Sequence, residues 1–181
     1  MHKNARTGMI AGTLILAVTS TAALLTAGPL DPPAGPVTST HKTLSEVEPR
    51  IAINAANTPG DADSLYKITQ PGSYYLTGNI QGVAGKHGIE IDSHGVTLDL
   101  NGFDLVGDSA SPNMDGVTTA TSNLTNIAIR NGSIRNWGDD GVEMQGTPAR
   151  GVILTDLRCS SNLGDGIALG NGASSVSNCV A

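Results

Sequence analysis

The stretch "NWGDDGVEM", Asn136–Met144, returns in nearly the same form as "NLGDGIALG", Asn162–Gly170. Aspartates beside a glycine are either a carboxylate pair for acid chemistry or the turn that starts a strand. Working outward from Gly141 decides the fold before the chemistry. Four short stretches open on glycine and a β-branched residue: "GIEI" at Gly88, "GVTT" at Gly116, "GVEM" at Gly141 and "GIAL" at Gly166, at spacings of 28, 25 and 25 residues. A second apolar alternation follows each: Val96, Leu98 and Leu100, then Ile127 and Ile129, then Val152 and Leu154, then Val176. A turn residue comes next (Asn101, Asn131, Asp156, Asn178), and a third short stretch follows in "FDLVG", "SIRNWG" and "RCSSNLG".

A period this short has no room for a strand, a helix and a return strand. One such unit cannot bury its own apolar side, but stacked units can, each strand becoming one member of a parallel sheet. The spacing therefore predicts an all-β fold, a right-handed parallel β-helix: a solenoid of about four coils of 22–30 residues, with neighbouring coils about 4.8 Å apart. Parity agrees from the second coil onward. Ile127, Ile129 and Asn131 share a face, as do Val152, Leu154 and Asp156, so the turn residues should form a column. Asn and Asp tolerate the left-handed backbone such a bend needs. The first coil, "LDLNGF", carries one extra residue before its turn.

Before the coils the chain reads differently. Lys3 and Arg6 precede an apolar run, Ile10–Leu25, with Ala27 as a small residue for cleavage, so residues 1–27 read as a signal peptide. The alternative, an uncleaved anchor, is disfavoured because the run is shorter than the roughly 20 apolar residues that span a bilayer. Residues 28–44, with "GPLDPPAGP", read as a linker. Residues 45–84 read as an N-terminal cap, with an N-cap at Ser45 and strands "SLYKI" and "GSYYL" around the turn "QPG". The coils occupy 85–181, and Ala181 falls inside the fourth, the pattern of a fragment of a longer solenoid. Export to the medium or the cell surface is the expectation, with no membrane contact after signal removal.

Aromatic residues make up 3% of the 181, so the core must come from Ile, Leu and Val, as strands prefer. With a net charge of -6 and ten scattered Lys and Arg, no phosphate-binding stripe exists and nucleic acid is not an expected partner. Cys159 falls on a core-facing position and Cys179 in a turn, without metal-ligand spacing, so both are read as structural, and a disulfide between them is disfavoured.

The pattern "NWGDDGVEM…GVILTDLRCSSNLGDGIAL…VSNC" resembles the right-handed parallel β-helix repeats of the pectin-lyase-like superfamily. The segment "ITQPGSYYLTGNIQGVAGKHGIEIDSHGVTLDLNGF" resembles the opening of secreted bacterial β-helix proteins, many without an assigned activity. The resemblance covers roughly Leu65–Ala181 and is specific for fold, since the superfamily includes lyases, hydrolases, esterases and adhesins. Polygalacturonases of this fold carry N-x-D, D-D and G-H-G on three successive coils. Here Asn113-Met114-Asp115 matches the first and Asp139-Asp140 the second, but Gly164-Asp165-Gly166 stands in the third place, so the histidine is missing, and no R-x-K follows.

The resemblance makes Asp115, Asp139 and Asp140 the candidate catalytic residues. Carboxylates about 4.8 Å apart repel by roughly 3.5 kcal/mol at an effective dielectric of 20, enough to create a general acid. Calcium, which accepts several carboxylate oxygens, would relieve the same repulsion; no other cofactor is implied. Against both stands the turn reading, in which Asp recurs before Gly because the turn recurs. Trp137, Arg135 and Asp165 are the candidate sugar-contacting residues, Trp137 being the single indole. His87 and His94 flank the first coil, Lys86 and Arg130 have the charge to meet a uronate, and Arg150 and Arg158 read as solvated. Two functions remain open: a non-catalytic surface or matrix protein contacting polysaccharide, and a polysaccharide-degrading enzyme, either a polygalacturonase-like hydrolase or a polyuronate lyase.

Overall fold

The computed structural model describes residues 42–43, 47–145 and 149–181, which belong to one unit, Lys42–Ala181. The signal-peptide reading, the Ser45 cap and all but the end of the linker lie outside the described residues. Among the described residues thirteen strands follow one another: β1 (Ile51–Ala52), β2 (Ser64–Ile68), β3 (Gly72–Tyr75), β4 (Ile80–Gln81), β5 (His87–Ile91), β6 (Val96–Asp99), β7 (Asp104–Val106), β8 (Val117–Thr119), β9 (Ile127–Arg135), β10 (Val142–Met144), β11 (Val152–Ser160), β12 (Ile167–Leu169) and β13 (Ser174–Ser177).

Every ladder between these strands is parallel. One sheet of five strands runs β12-β10-β8-β5-β2; the other, of eight, runs β1-β3-β6-β9-β11-β13, with β7 beside β9 and β4 beside β7. The fold is a parallel β-solenoid of about five turns, consistent with the right-handed winding that parallel crossovers favour. The count exceeds the expected four because β2, β3 and β4 already occupy the three strand positions of a coil. "SLYKI" and "GSYYL" pair in register with β5 and β6, and β1 lies beyond them at the end of the ladder.

Like residues form vertical columns. Ile89, Val117, Val142 and Ile167 are successive partners in the five-stranded sheet, and Leu98, Ile129, Leu154 and Val176 in the larger one. All but Ile167 and Val176, which are in the last coil, are fully buried. Each buried aliphatic chain contributes about 1.5–3 kcal/mol, so the columns are the spine of the fold. The bends work as the turn residues require: Asn101, Asn131, Asp156 and Asn178 all have φ between 53° and 60°. Asn131 does not pair with a neighbouring turn amide; its Nδ2 donates to Asp99 Oδ1 at 3.2 Å. Cys159 is buried, Cys179 half-buried, and both are free thiols. Among the described residues no helix is long and apolar enough to cross a membrane.

Candidate carboxylate site

The five strands of the five-stranded sheet share one entrance column, which from β5 onward is the residue two before the first core aliphatic. Its members are Ser64, His87, Asp115, Asp140 and Asp165, as the register requires. The side chains in this column bond upward. Asp115 N–H donates to His87 Nδ1 at 2.9 Å, Asp140 N–H to Asp115 Oδ1 at 3.0 Å and Asp165 N–H to Asp140 Oδ1 at 2.5 Å. Three column side chains thus each accept the N–H of the next coil, a bond between coils and not one within the turn. This accounts for the recurrence of Asp before Gly.

Asp139 stands outside that scheme. Its backbone is committed, N–H to Met114 O at 3.2 Å and C=O to Gly164 N–H at 2.9 Å, but its carboxylate makes no hydrogen bond or ion pair among the described residues. Oxygens of Asp115, Asp139 and Asp140 lie within 4.8 Å of one another. Asp115 is 5% and Asp140 9% exposed, and Asp139 is half-buried. Gly164 roofs the pair: a Cβ there would fall 2.3 Å from Asp140 Oδ1 and 2.5 Å from Asp139 Oδ1. Only bare backbone leaves the carboxylates their space.

Burial pushes the Asp140 carboxyl up to about 6, assisted by a hydrogen bond shared with Glu143 and by the charge of Asp115, while the Asp165 N–H opposes. Asp139 is raised as well, by burial first and then by the charges of Asp140 and Asp115. His87 is raised by the hydrogen bond to Asp115, against its own burial. His87 Nδ1 has two contacts that exclude each other: as an acceptor it takes the Asp115 N–H, and as a donor it faces Asp115 Oδ2 at 3.3 Å. The neutral ring makes the first contact and the protonated ring the second.

The structure therefore brings Asp115, Asp139 and Asp140 together and adds His87 and Glu143, which sequence reasoning did not place there. His87 was legible only after register: in "KHGIEI" it occupies the place that aspartate takes in the later coils. Asp165 follows in the column but is exposed. Trp137 is corrected: it is 1% exposed, with Nε1 donating to Leu105 O at 3.2 Å, so it offers no face to a sugar. Its indole fills a slot where side chains at Gly82, Gly88, Gly107 or Gly116 would come within 3.0 Å of it. Arg135 is exposed on the larger sheet, paired with Asp104 at 3.2 Å, and Arg130 is bound to Asp99 at 3.1 Å. Lys86 bonds the carbonyls of Asp61 and Ser64.

A second acidic group, Asp61, Asp63 and Glu90, is a different object. The Lys67 ammonium sits 2.8 Å from Asp61 and 3.0 Å from Glu90 and supplies its cation from within the chain. The three carboxylates at Asp140 have no lysine or arginine partner within 4.0 Å among the described residues. They can share a proton, act as an acid and a base, or supply part of the six to eight oxygens calcium prefers. No protein-family model, curated protein or solved structure matches the chain.

Proposed function

We propose that this is an exported enzyme that cleaves an extended polysaccharide at Asp115, Asp139 and Asp140. The observation that carries the reading is Asp139: the inter-coil bonds explain Asp115 and Asp140, but they leave its half-buried carboxylate with no structural task. Asp140, with a pKa of about 6, is the proton donor to the departing glycosidic oxygen. Asp139 is the ionised partner. Asp139 is assigned the partner role: it takes the proton of a water whose oxygen bonds to the anomeric carbon as the bond to the departing oxygen, protonated by Asp140, breaks. His87 holds the Asp115 backbone beneath them.

The test is turnover of polyuronate and neutral glycans, with and without calcium, by the wild type and by Asp140→Asn and Asp139→Asn. Product from the wild type, lost at least 100-fold in either variant, is expected. A second reading, a non-catalytic surface protein touching polysaccharide, is favoured by the role of Asp115 and Asp140 as acceptors between coils. An inactive wild type on all substrates would decide for it.

A further inference from the structure

Glycine breaks the strand alternation at the head of the five-stranded sheet. A Cβ at Gly141 would meet Asn162 Nδ2 at 2.6 Å and Cys159 Cβ at 3.4 Å, and Val142, the next residue, is fully buried. Two successive residues thus face the core, where a regular strand would turn one of them outward. The residues flanking that pair, Asp140 and Glu143, therefore stand together on the outer side. The same step recurs at Gly88–Ile89 and Gly116–Val117, where added Cβ atoms would run into Trp137 and Ile134. Beside the entrance column the ladders set a second one: Lys67, Glu90, Thr118, Glu143 and Ala168. In it Glu90 meets the Lys67 ammonium at 3.0 Å, whereas Glu143 lies between the uncharged Thr118 and Ala168.

Asp140 and Glu143 are joined by a side-chain hydrogen bond. Two carboxylates have no hydrogen to share, so this bond exists only while one of them keeps its proton. Each also accepts a backbone N–H, Asp140 Oδ1 from Asp165 at 2.5 Å and Glu143 Oε1 from Gln145, so the backbone donors do not decide which. Burial does. Asp140 is 9% exposed and Glu143 half-buried, and the charge costs less where water reaches it. The proton therefore sits on Asp140 and the charge on Glu143. The other titratable groups facing Asp140 are Asp115 and Asp139, with oxygens within 4.8 Å, Asp165 in the next coil, and His87 beyond Asp115.

We propose that Glu143 is the positioning residue of the carboxylate site: it holds the hydrogen of the Asp140 carboxyl toward the outer face and keeps it there at neutral pH. The role rests on the reaction proposed above; the shared proton does not. An arriving glycosidic oxygen replaces Glu143 as the acceptor, the proton passes to that oxygen, and the O–H electron pair stays on Asp140. Two carboxylates then face each other, and their repulsion draws a proton back to Asp140 as Asp139 releases the one it took from water. Glu143 itself forms no bond to the sugar.

The experiment is a carboxyl-carbon NMR titration of Asp140, its signal assigned by its absence in Asp140→Asn, together with the pH profile of turnover, for the wild type and Glu143→Gln. Glutamine carries no charge and can donate to an ionised Asp140, so the Asp140 midpoint should fall toward the ordinary carboxylate range. Above its midpoint turnover follows the protonated fraction, so activity at pH 7 should drop about tenfold yet stay within about twofold of the wild type at about pH 4.5. Thr118→Lys sets an ammonium beside Glu143 as Lys67 stands beside Glu90. It should move the midpoint the same way, and it decides the matter if the glutamine variant fails to fold. A midpoint that moves in neither variant overturns the proposal whether or not the protein is an enzyme. Turnover lost equally at every pH overturns it too, by making Glu143 a structural neighbour only. A wild type inactive on every glycan overturns the role together with the enzyme reading, and a midpoint that still moves then shows the proton-sharing pair standing without the reaction.

Discussion

Asp140→Asn should make the protein more stable, and by an amount the site itself sets. A carboxyl held at about 6 in the folded chain against its ordinary 3.8 keeps its proton between those values while the unfolded chain has lost it. Folding is then favoured at low pH, loses ground as pH rises through that window, and carries the full penalty above it. The difference corresponds to about 3 kcal/mol at neutral pH. Asparagine resembles the protonated acid: its Oδ1 still accepts the Asp165 N–H, and its amide can donate toward Glu143. The variant should gain about 2 to 3 kcal/mol at pH 7, or about 5–10 °C in Tm, less than about 1 kcal/mol at pH 4, and nothing below about pH 3. Urea unfolding of both proteins from pH 4 to pH 8 gives the difference directly, and the contribution of His87, which also declines as pH rises, cancels to first order in the subtraction. A turn residue kept for architecture loses stability when changed, whereas one kept for chemistry is retained at a cost. Equal stability at pH 7, or a variant weaker throughout, would refute the burial of an ionised acid and remove the main support for a proton donor here.

Three further outcomes follow from features away from the acids. Trp137→Ala should destabilise by about 3–5 kcal/mol, and Trp137→Phe by about 1–3 kcal/mol because Leu105 O loses its buried donor, both read by urea unfolding. Asn131→Ala should cost about 1 kcal/mol more than Asn131→Gly, since φ there is 60° and a Cβ without a polar head is disfavoured in that region. In native protein at pH 8 a thiol reagent should modify Cys179 and spare Cys159, whose thiol is pushed up to about 11 by burial and the neighbouring Cys179; mass spectrometry of the labelled peptides reads this, and equal labelling would contradict the buried position.

The sequence disclosed the winding because the coil repeat is carried by residues whose job is local. The Gly and β-branched openings mark strand starts, and Asn131, Asp156 and Asn178 mark bends that only a few residue types accept. It disclosed less about the first winding, because "SLYKI" and "GSYYL" lack the Gly-β-branched opening and were separable from the coils only by that absence. Asp139 and Asp140 were visible as a pair. His87 was hidden because it stands where later coils place aspartate, and chemical type gives no hint of a shared position until strands are paired. Trp137 is buried for an instructive reason. An indole in a chain with 3% aromatics suggests display, but the glycines that open a slot for it lie in three different coils, and no local pattern joins them.

The column at the sheet entrance also has a direction. His87 supports the backbone of Asp115, Asp115 that of Asp140, and Asp140 that of Asp165, so each winding brings the acceptor that the following one needs. A chain that emerges from the ribosome or a translocation pore amino-end first meets every such acceptor already in place, and assembly can proceed like a ratchet in the order of synthesis. Truncations that delete late windings should leave earlier ones cooperative and intact, whereas loss of His87 should loosen the windings after it, a polarity that hydrogen exchange resolved coil by coil would reveal.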